Sequence, residues 1–491
     1  MIKLISGDLK KIKIDALIIP VCEDNEIDDN ELISSLCSKA KSLNEFKGEK
    51  GEEVVFYENT EVKSDRVVLM GAGKLEKIDT EALRSLAGKA VKQAIKRKLE
   101  EITIAVPEAA KLNIKTQDLL QALLEGGYLG NHLFDKYKKE KKENPLKLIN
   151  FLVSTDTEKK FSSLPERVKS VCSSTIMARE WVTTPSNDKR PEQFIKSIMT
   201  NAEKEGLKVN LLNEEELQQK KFGSLLAVAA GSSSRPGVVV LEYMPETKNQ
   251  KKTLALVGKG VTFDSGGINL KPTGSLEDMK TDMSGAAAVA ASLIAIAQIK
   301  PDINVVGVIP VVENMPSGTA ARPSDIVKTH DGKTVEIGNT DAEGRLILID
   351  AISYVKKEYN PDTLIDMATL TGACVVALGE KIAGVFSSDD DLAKAIVDSG
   401  EATHERCWRM PLPDDYKELI KSDLADLSNM SSSRWGGAIT AALFLAEFTG
   451  DTKWAHIDIA GPASIKKGNN YCGPGGTGFG VRLLCDFIEK L

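Results

Sequence analysis

Residues 253–267 read Thr-Leu-Ala-Leu-Val-Gly-Lys-Gly-Val-Thr-Phe-Asp-Ser-Gly-Gly, an apolar run that leads into glycines, a lysine and an aspartate. Such continuous apolar runs are typical of strands that are buried on both faces of a sheet. In open α/β sheets, ligands bind beyond the carboxyl ends of these strands. The stretch therefore predicts a buried strand that is followed directly by a functional loop.

Apolar runs alternate with helical patterns on both sides of this stretch, which predicts an α/β fold. Further strands are predicted at residues 14–21, 66–70, 102–106, 148–153, 303–312, 363–367 and 454–459. Helices are predicted at residues 79–98, 117–130, 164–181 and 285–299. We expect a smaller N-terminal α/β domain at residues 1–160. A larger C-terminal α/β domain, residues 161–491, would hold a central, mostly parallel sheet covered by helices.

Composition and charge describe an ordinary globular protein rather than a nucleic-acid or membrane protein. Of 491 residues, 42% are hydrophobic and 27% are charged, and the formal net charge is −7. An acidic balance does not favour nucleic-acid binding, and no apolar run reaches the roughly 18 residues that a membrane span requires. The seven cysteines are widely scattered, and the first residues lack a signal-peptide pattern. These features predict a cytoplasmic protein with free thiols.

A second informative stretch, residues 339–346, reads Asn-Thr-Asp-Ala-Glu-Gly-Arg-Leu. In an extended or looped backbone, the carboxylates of Asp341 and Glu343 can lean toward one point, where a divalent metal would relieve their repulsion. A solvated acidic turn is the alternative. The upstream segment adds four candidates, namely Lys259, Asp264, Lys271 and Asp282.

Four acids and two lysines without histidine or cysteine indicate a hard metal with oxygen ligands, such as Mg²⁺, Mn²⁺ or Zn²⁺. Four carboxylates are more than one catalytic metal needs, so we expect two metals that share bridging acids. Ser284, close behind Asp282, is predicted to cap the helix at residues 285–299.

Several long motifs in the C-terminal half resemble the leucyl aminopeptidase family, the M17 cytosolic aminopeptidases. The motifs lie at residues 257–267, 279–289, 339–346, 436–445 and 454–461. The resemblance implies a metal-dependent aminopeptidase that hydrolyses the N-terminal residue of peptides, preferably leucine or another bulky apolar residue. It also implies a macro-like N-terminal domain, two divalent ions per subunit (Mn²⁺, Zn²⁺ or both) and a homohexamer built from two trimers.

The resemblance carries over to individual positions of this sequence. One metal would be bound by Lys259, Asp264, Asp282 and Glu343, and the other by Asp264, Asp341 and Glu343. Lys271 and Arg345 match the two catalytic positions, and Arg345 would hold a bicarbonate that transfers the proton. None of these seven positions departs from the family pattern.

The proposed roles of the two lysines can be tested against their physical chemistry. A lysine ligates a metal only when neutral, which costs roughly 4–5 kcal/mol near pH 7 for a group of reference pKa about 10.4. A protonated Lys271 would stabilise the oxyanion that forms during hydrolysis. The alternatives are a solvated loop lysine at position 259 and, for Arg345, an arginine that fixes the loop by pairing with local acids.

Two other functions compete with a peptidase. Some members of the family bind DNA, so the chain could be a DNA-binding regulatory or recombination accessory protein with residual peptidase activity. Its acidic balance argues against binding as the sole role. A macro-like ADP-ribose binder is the other alternative, and the N-terminal part shows no clear glycine-rich phosphate loop.

Overall fold

The computed structural model describes residues 1–43, 46–57, 62–141, 143–245 and 252–491. Contacts divide the chain into two compact units, residues 1–173 with 467–474 and residues 174–466 with 475–491. The division falls inside the helix that the sequence predicts at residues 164–181. The predicted division at residues 160/161 lies before this helix and stays a prediction.

In the part of the first unit that the structure describes, six strands form one sheet. Its strands are β1 (Ile2–Ile5), β2 (Leu17–Cys22), β3 (Glu53–Tyr57), β4 (Arg66–Gly73), β5 (Glu101–Ala105) and β6 (Leu148–Leu152). Its helices are α1 (Glu31–Ser42), α2 (Thr80–Lys96), α3 (Ala109–Leu112), α4 (Thr116–Gly130), α5 (Thr155–Lys160) and the first part of α6 (Leu164–Thr183). The strand order is β1-β6-β5-β2-β4-β3, and all neighbours are parallel except β3 and β4.

The buried strands of this unit could be predicted from the sequence, whereas the partly exposed edge strands could not. Every residue of β2 is buried, as expected for a central strand of a parallel sheet. The strand at the β1 edge is short and alternates in burial, and β3 at the other edge is only half-buried. Neither edge strand has a strong apolar pattern, so neither is predicted from the sequence.

Within its described residues, the second unit contains a larger sheet and two small ones. Its strands are β7 (Lys208–Leu212), β8 (Gly237–Tyr243), β9 (Thr253–Gly258), β10 (Gly260–Asp264), β11 (Asn304–Asn314), β12 (Ile326–Lys328), β13 (Thr334–Glu336), β14 (Thr363–Ala368), β15 (Ala383–Ser387), β16 (Cys407–Arg409), β17 (Leu427–Ser428), β18 (Lys453–Asp458), β19 (Ser464–Ile465) and β20 (Gly475–Gly476). After α6, its helices are α7 (Pro191–Lys204), α8 (Glu214–Gln219), α9 (Gly223–Ala229), α10 (Ser284–Ile299), α11 (Glu343–Tyr359), α12 (Gly372–Leu378), α13 (Asp390–Thr403), α14 (Gly437–Ala446) and α15 (Val481–Glu489).

The central sheet is mixed and has a parallel middle. The strand order is β16-β15-β18-β14-β9-β11-β8-β7, and β10 pairs with β11. Strands β18, β14, β9 and β11 are parallel, whereas β15, β8 and β7 are antiparallel to their inner neighbours. Because the carboxyl ends of parallel strands meet at one edge, the loops that follow β9, β10 and β14 lie together. The predicted mostly parallel α/β architecture is confirmed.

Helix α10 forms part of the core beside this sheet. All of its residues from Ser284 to Ala297 are buried, and its alanines allow close approach to β9 and β11. The segment Leu276–Ile299 is long and apolar enough to cross a membrane, but 89% of its apolar window is buried inside the protein. Polar residues interrupt the segment, so its sequence contains no uninterrupted apolar run of that length. The burial is that of a core helix.

The predicted cap of α10 is wrong. Ser284 is the first residue of the helix and Met283 precedes it as the capping residue, without a side-chain bond. The Ser284 hydroxyl instead donates to the carbonyl of Thr281. A hydroxyl in the first turn thus closes the tight turn that carries Asp282.

Candidate metal centre

Loops and element ends at the carboxyl edge of the central sheet bring the predicted residues together. Lys259 lies between β9 and β10, and Asp264 is the last residue of β10. Asp282 lies between a 3₁₀ turn, Leu276–Thr281, and α10. Glu343 is the first residue of α11, where the positive end of the helix dipole favours a carboxylate.

Ion pairs and converging carboxylates join six side chains into one acidic cluster, namely Lys259, Asp264, Lys271, Asp282, Asp341 and Glu343. Lys259 lies in the more buried, inner part of this cluster. Its Nζ lies 2.7 Å from Oδ1 of Asp282 and 2.8 Å from Oε1 of Glu343. It also donates to the carbonyl of Thr369 at 2.8 Å. The Lys259 side chain is 3% exposed, so the alternative of a solvated loop lysine is wrong.

Lys271 occupies the outer part. Its Nζ lies 2.8 Å from Oδ2 of Asp264 and 2.6 Å from Oδ1 of Asp341. Asp264, Asp341 and Glu343 offer carboxylate oxygens that all lie within 4.8 Å of one another. Three converging acids of this kind cannot form a solvated acidic turn, and they define the centre of the candidate site.

Two glycines allow these groups to approach so closely. A Cβ at Gly344 would lie 2.6 Å from Cε of Lys259, so any side chain there would displace the lysine. Gly266 has a φ of +87°, and a Cβ at this position would lie 2.7 Å from an Asp341 oxygen. Gly344 is therefore restricted to glycine by Lys259, whereas Gly266 is restricted by its positive φ and by the carbonyl of Asn269, 2.5 Å from such a Cβ, as well as by Asp341.

The cluster contains more negative than positive charge, and the pKa values reflect this. Burial raises the pKa of Asp264, and the Glu343 carboxylate adds to the effect. Burial likewise raises the pKa of Asp341. For Lys259 and Lys271, burial acts to lower the pKa, but the surrounding carboxylates outweigh it and raise the pKa of both ammonium groups. These four groups thus hold their protons more tightly than they would in water.

One oxygen in the cluster suits a divalent cation directly. Oδ1 of Asp282 accepts from Lys259 and from the Thr369 hydroxyl, whereas its buried Oδ2 has no hydrogen-bond partner among the described residues. An unpaired buried carboxylate oxygen is costly unless a cation binds it. This oxygen and the three converging acids fit the oxygen coordination that Mn²⁺ and related ions prefer.

Arg345 lies on the first turn of α11, close to the acids but outside the cluster. It is buried, and burial lowers the pKa of its guanidinium to about 10. Its Nη1 donates to the carbonyl of Asn429 at 2.8 Å. Its Nε is buried and has no hydrogen-bond partner among the described residues. The guanidinium thus keeps a free donor that could hold an anion.

Several residues that support the site were not found from the sequence. Asn314, at the end of β11, donates from Nδ2 to Oδ1 of Asp264 at 2.8 Å. Asp458, at the end of β18, accepts from the backbone N–H of Leu370 and from the Thr371 hydroxyl, and so holds the loop that carries Thr369. Their only sequence signal is a polar residue at the end of an apolar strand.

Comparison with known proteins gives the class of the molecule. The chain matches the catalytic domain of the cytosol aminopeptidase family over residues 176–485 and the family's N-terminal domain over residues 20–141. These matches define an aminopeptidase, a hydrolase of peptide bonds. The chain belongs to the cytosol aminopeptidase family, M17.

Relatives support this assignment over the whole chain. A probable cytosol aminopeptidase from Chlorobium phaeobacteroides is 43% identical, with 98% of both chains covered. One from Aquifex aeolicus is 39% identical, with 100% of this chain and 98% of the relative covered.

Two solved structures share the fold across both units. A mutant of tomato leucine aminopeptidase gives a TM-score of 0.87 at 32% identity, covering 100% of this chain and 96% of that one. The bottromycin maturation enzyme BotP in complex with Mn gives 0.86 at 30% identity, covering 97% and 99%.

Proposed function

We propose that this aminopeptidase is a two-metal enzyme that releases leucine and other bulky apolar residues from the N-terminus of peptides. The observation that carries the proposal is the convergence of Asp264, Asp341 and Glu343 within 4.8 Å, beside the unpaired Oδ2 of Asp282. The Mn complex of BotP, a structural neighbour, supports the binding of a divalent ion.

Five side chains would hold the two ions. The inner ion would be bound by Lys259, Asp264, Asp282 and Glu343, and the outer ion by Asp264, Asp341 and Glu343. The bound ions, Mn²⁺, Zn²⁺ or one of each, would supply Lewis acidity and an activated water. Because the carboxylates keep Lys259 protonated, this lysine must release its proton before it can act as a ligand.

Lys271 would act on the peptide carbonyl. Its ammonium lies at the more exposed side of the cluster, and its pKa is raised by the neighbouring acids, so it is positively charged at neutral pH. A fixed positive charge stabilises the oxyanion of the tetrahedral intermediate more than the neutral carbonyl. Lys271 therefore lowers the barrier rather than simply binding the substrate.

Arg345 would hold a proton carrier. Its free Nε is a buried donor next to the acidic cluster, and a bicarbonate that binds this guanidinium could take a proton from the attacking water and pass it to the leaving amine. General-base catalysis of this kind contributes roughly 10²–10⁴ in rate. The predicted alternative, an arginine that pairs with local acids, stays open, because the Glu343 and Asp458 carboxylates both influence its pKa.

Location and assembly follow from the family resemblance. The names of the relatives favour a cytoplasmic protein, and the resemblance favours a homohexamer of two trimers with peptides as substrates. Residues 1–160 would form the macro-like domain, and residues 161–491 would form the peptidase domain. Light scattering coupled to gel filtration measures the assembly.

The test of the proposed function is hydrolysis of a leucyl chromogenic amide. The enzyme is first treated with a chelator, and Mn²⁺ or Zn²⁺ is then added back stepwise. Activity should disappear and return, and the N-acetylated amide should remain uncleaved because it lacks the free amine. Full turnover in the presence of excess chelator, or cleavage of the acetylated substrate, would contradict the proposal.

A further inference from the structure

A buried lysine behind the metal centre binds backbone carbonyls rather than a carboxylate. Lys189 lies in the loop between α6 and α7 and is 3% exposed. Its Nζ donates to the carbonyls of Trp181 at 2.8 Å, Val182 at 3.1 Å and Lys280 at 2.7 Å. The thioether sulfur of Met283 lies 3.4 Å away. A single side chain thus fastens two segments, the last turn of α6 and residues 280–283.

Two of these contacts bracket Asp282, one of the proposed metal ligands. Lys280 precedes Asp282 by two positions and Met283 follows it directly. The Asp282 carboxylate faces Lys259 and Thr369, whereas Lys189 contacts the backbone and the Met283 side chain on either side of it. The position of the carboxylate therefore depends on where Lys189 holds this short segment.

The same loop also contacts the strand that carries Asp264. The hydroxyl of Ser186 donates to the carbonyl of Thr262 at 2.8 Å, and Thr262 precedes Asp264 by two positions in β10. Ser186 and Lys189 thus bind the backbone two residues before two different metal ligands. A loop that only joined two helices would not need either bond.

We propose that Ser186 and Lys189 are positioning residues for the metal centre, with Lys189 setting the place of Asp282 and Ser186 that of Asp264. The inference rests on the proposed two-metal function. Groups that orient metal ligands from behind affect metal affinity by about 10–100-fold when they are removed. Because Asp282 would bind only the inner ion, loss of Lys189 should weaken that ion alone.

A purely structural role would give a different result. Trp181 and Val182 lie in the last turn of α6, where a lysine can bind carbonyls that have no helical partner. Such a cap explains two of the three bonds, and its loss would reduce stability without changing metal affinity. The hydrogen bond from Lys189 to the carbonyl of Lys280 is not part of such a helix cap.

The test is Mn²⁺ binding to the full-length, metal-free protein, measured from the EPR signal of free Mn²⁺. Wild type should bind two ions. Lys189→Met should weaken one binding step by about 10–100-fold and leave the other unchanged, and Lys189→Arg, which keeps donors, should recover part of the loss. Lys356→Met is the matched control, because Lys356 is half-buried and donates to the carbonyl of Phe448 at 2.7 Å.

The outcomes separate this inference from the proposed function. If wild type binds no Mn²⁺ at this centre, the two-metal function fails. If wild type binds two ions and Lys189→Met binds both as tightly, the positioning role is overturned. An equal shift in Lys356→Met would overturn it as well. Should Lys189→Met fail to fold, Ser186→Ala decides, since unchanged affinity for both ions in this mild variant would contradict the proposal.

Discussion

Replacement of Lys259 by methionine tests the electrostatics of the centre without any metal present. In the metal-free protein, the Lys259 ammonium is the shared cation of Asp282 and Glu343, at 2.7 and 2.8 Å. Methionine fills a similar volume but carries no charge, so two buried carboxylates lose their partner. Removing one member of a buried ion pair typically costs about 3–5 kcal/mol. We therefore expect Lys259→Met to lower the free energy of unfolding by about this amount at pH 7.5.

The pH dependence of this loss has a defined sign. Neighbouring carboxylates raise the pKa of Lys259 above its unfolded value, so the stability that the ammonium contributes is fully present below about pH 10. It disappears only as the pH rises through the higher folded pKa. Burial raises the pKa of Asp282, so in the variant this carboxyl takes up a proton more readily as the pH falls. The penalty should therefore be smaller at pH 5 than at pH 8.

Urea unfolding in the presence of EDTA, followed by tryptophan fluorescence, measures the effect. The control is Lys394→Met, which removes an exposed ion pair with Asp398 that is worth about 0.3–0.5 kcal/mol. A loss below about 1 kcal/mol for Lys259→Met, close to that of the control, would refute the reasoning. Such a result would mean that the Lys259 ammonium does not stabilise the buried carboxylates of Asp282 and Glu343.

Three further predictions concern activity and stability. Asp341→Asn should lower the rate of leucyl amide hydrolysis by more than about 100-fold, which is the upper end of the range for groups that only orient metal ligands. The circular dichroism spectrum should stay unchanged. Retained turnover with excess Mn²⁺ would count against Asp341 as a metal ligand. Lys271→Ala should lower kcat by roughly 10²–10³-fold with little change in KM, and an effect on KM alone would exclude an oxyanion role. Burial raises the pKa of Asp350 to about 7. Between about pH 4 and pH 7 the folded chain therefore keeps a proton that the unfolded chain loses. The free energy of unfolding should fall as the pH rises through this range. Asp350→Asn should flatten this dependence by up to about 1.4 kcal/mol per pH unit, and identical pH profiles of unfolding for variant and wild type would show the pKa to be ordinary.

The central strands and the acids of the site could be predicted from the sequence because both carry strong local signals. Strand β2, which is buried throughout, and β9, which is buried except at Thr253, read as continuous apolar runs. Asp264 is the last residue of β10. The i,i+2 spacing of Asp341 and Glu343 correctly indicates convergence, since the helix begins only at Glu343. The edge strand β1, which is short and alternates in burial, gives no comparable signal.

Pairings between distant residues could not be predicted. Nothing in the sequence shows that Lys271 pairs with both Asp264 and Asp341, because the contact depends on how three loops meet at the edge of the sheet. Ser284 illustrates the opposite error, since a serine before a helical pattern suggests a cap, while the helix in fact begins one residue earlier. Lys189 reads as an ordinary loop lysine, and only its burial against three carbonyls distinguishes it.

The most direct test of the central claim is the structure of crystals soaked in Mn²⁺, with data collected at the manganese edge. Two anomalous peaks about 3.5–4 Å apart, enclosed by Lys259, Asp264, Asp282, Asp341 and Glu343, are the expected result. The absence of peaks among these side chains, with anomalous signal elsewhere or nowhere, would contradict the two-metal account.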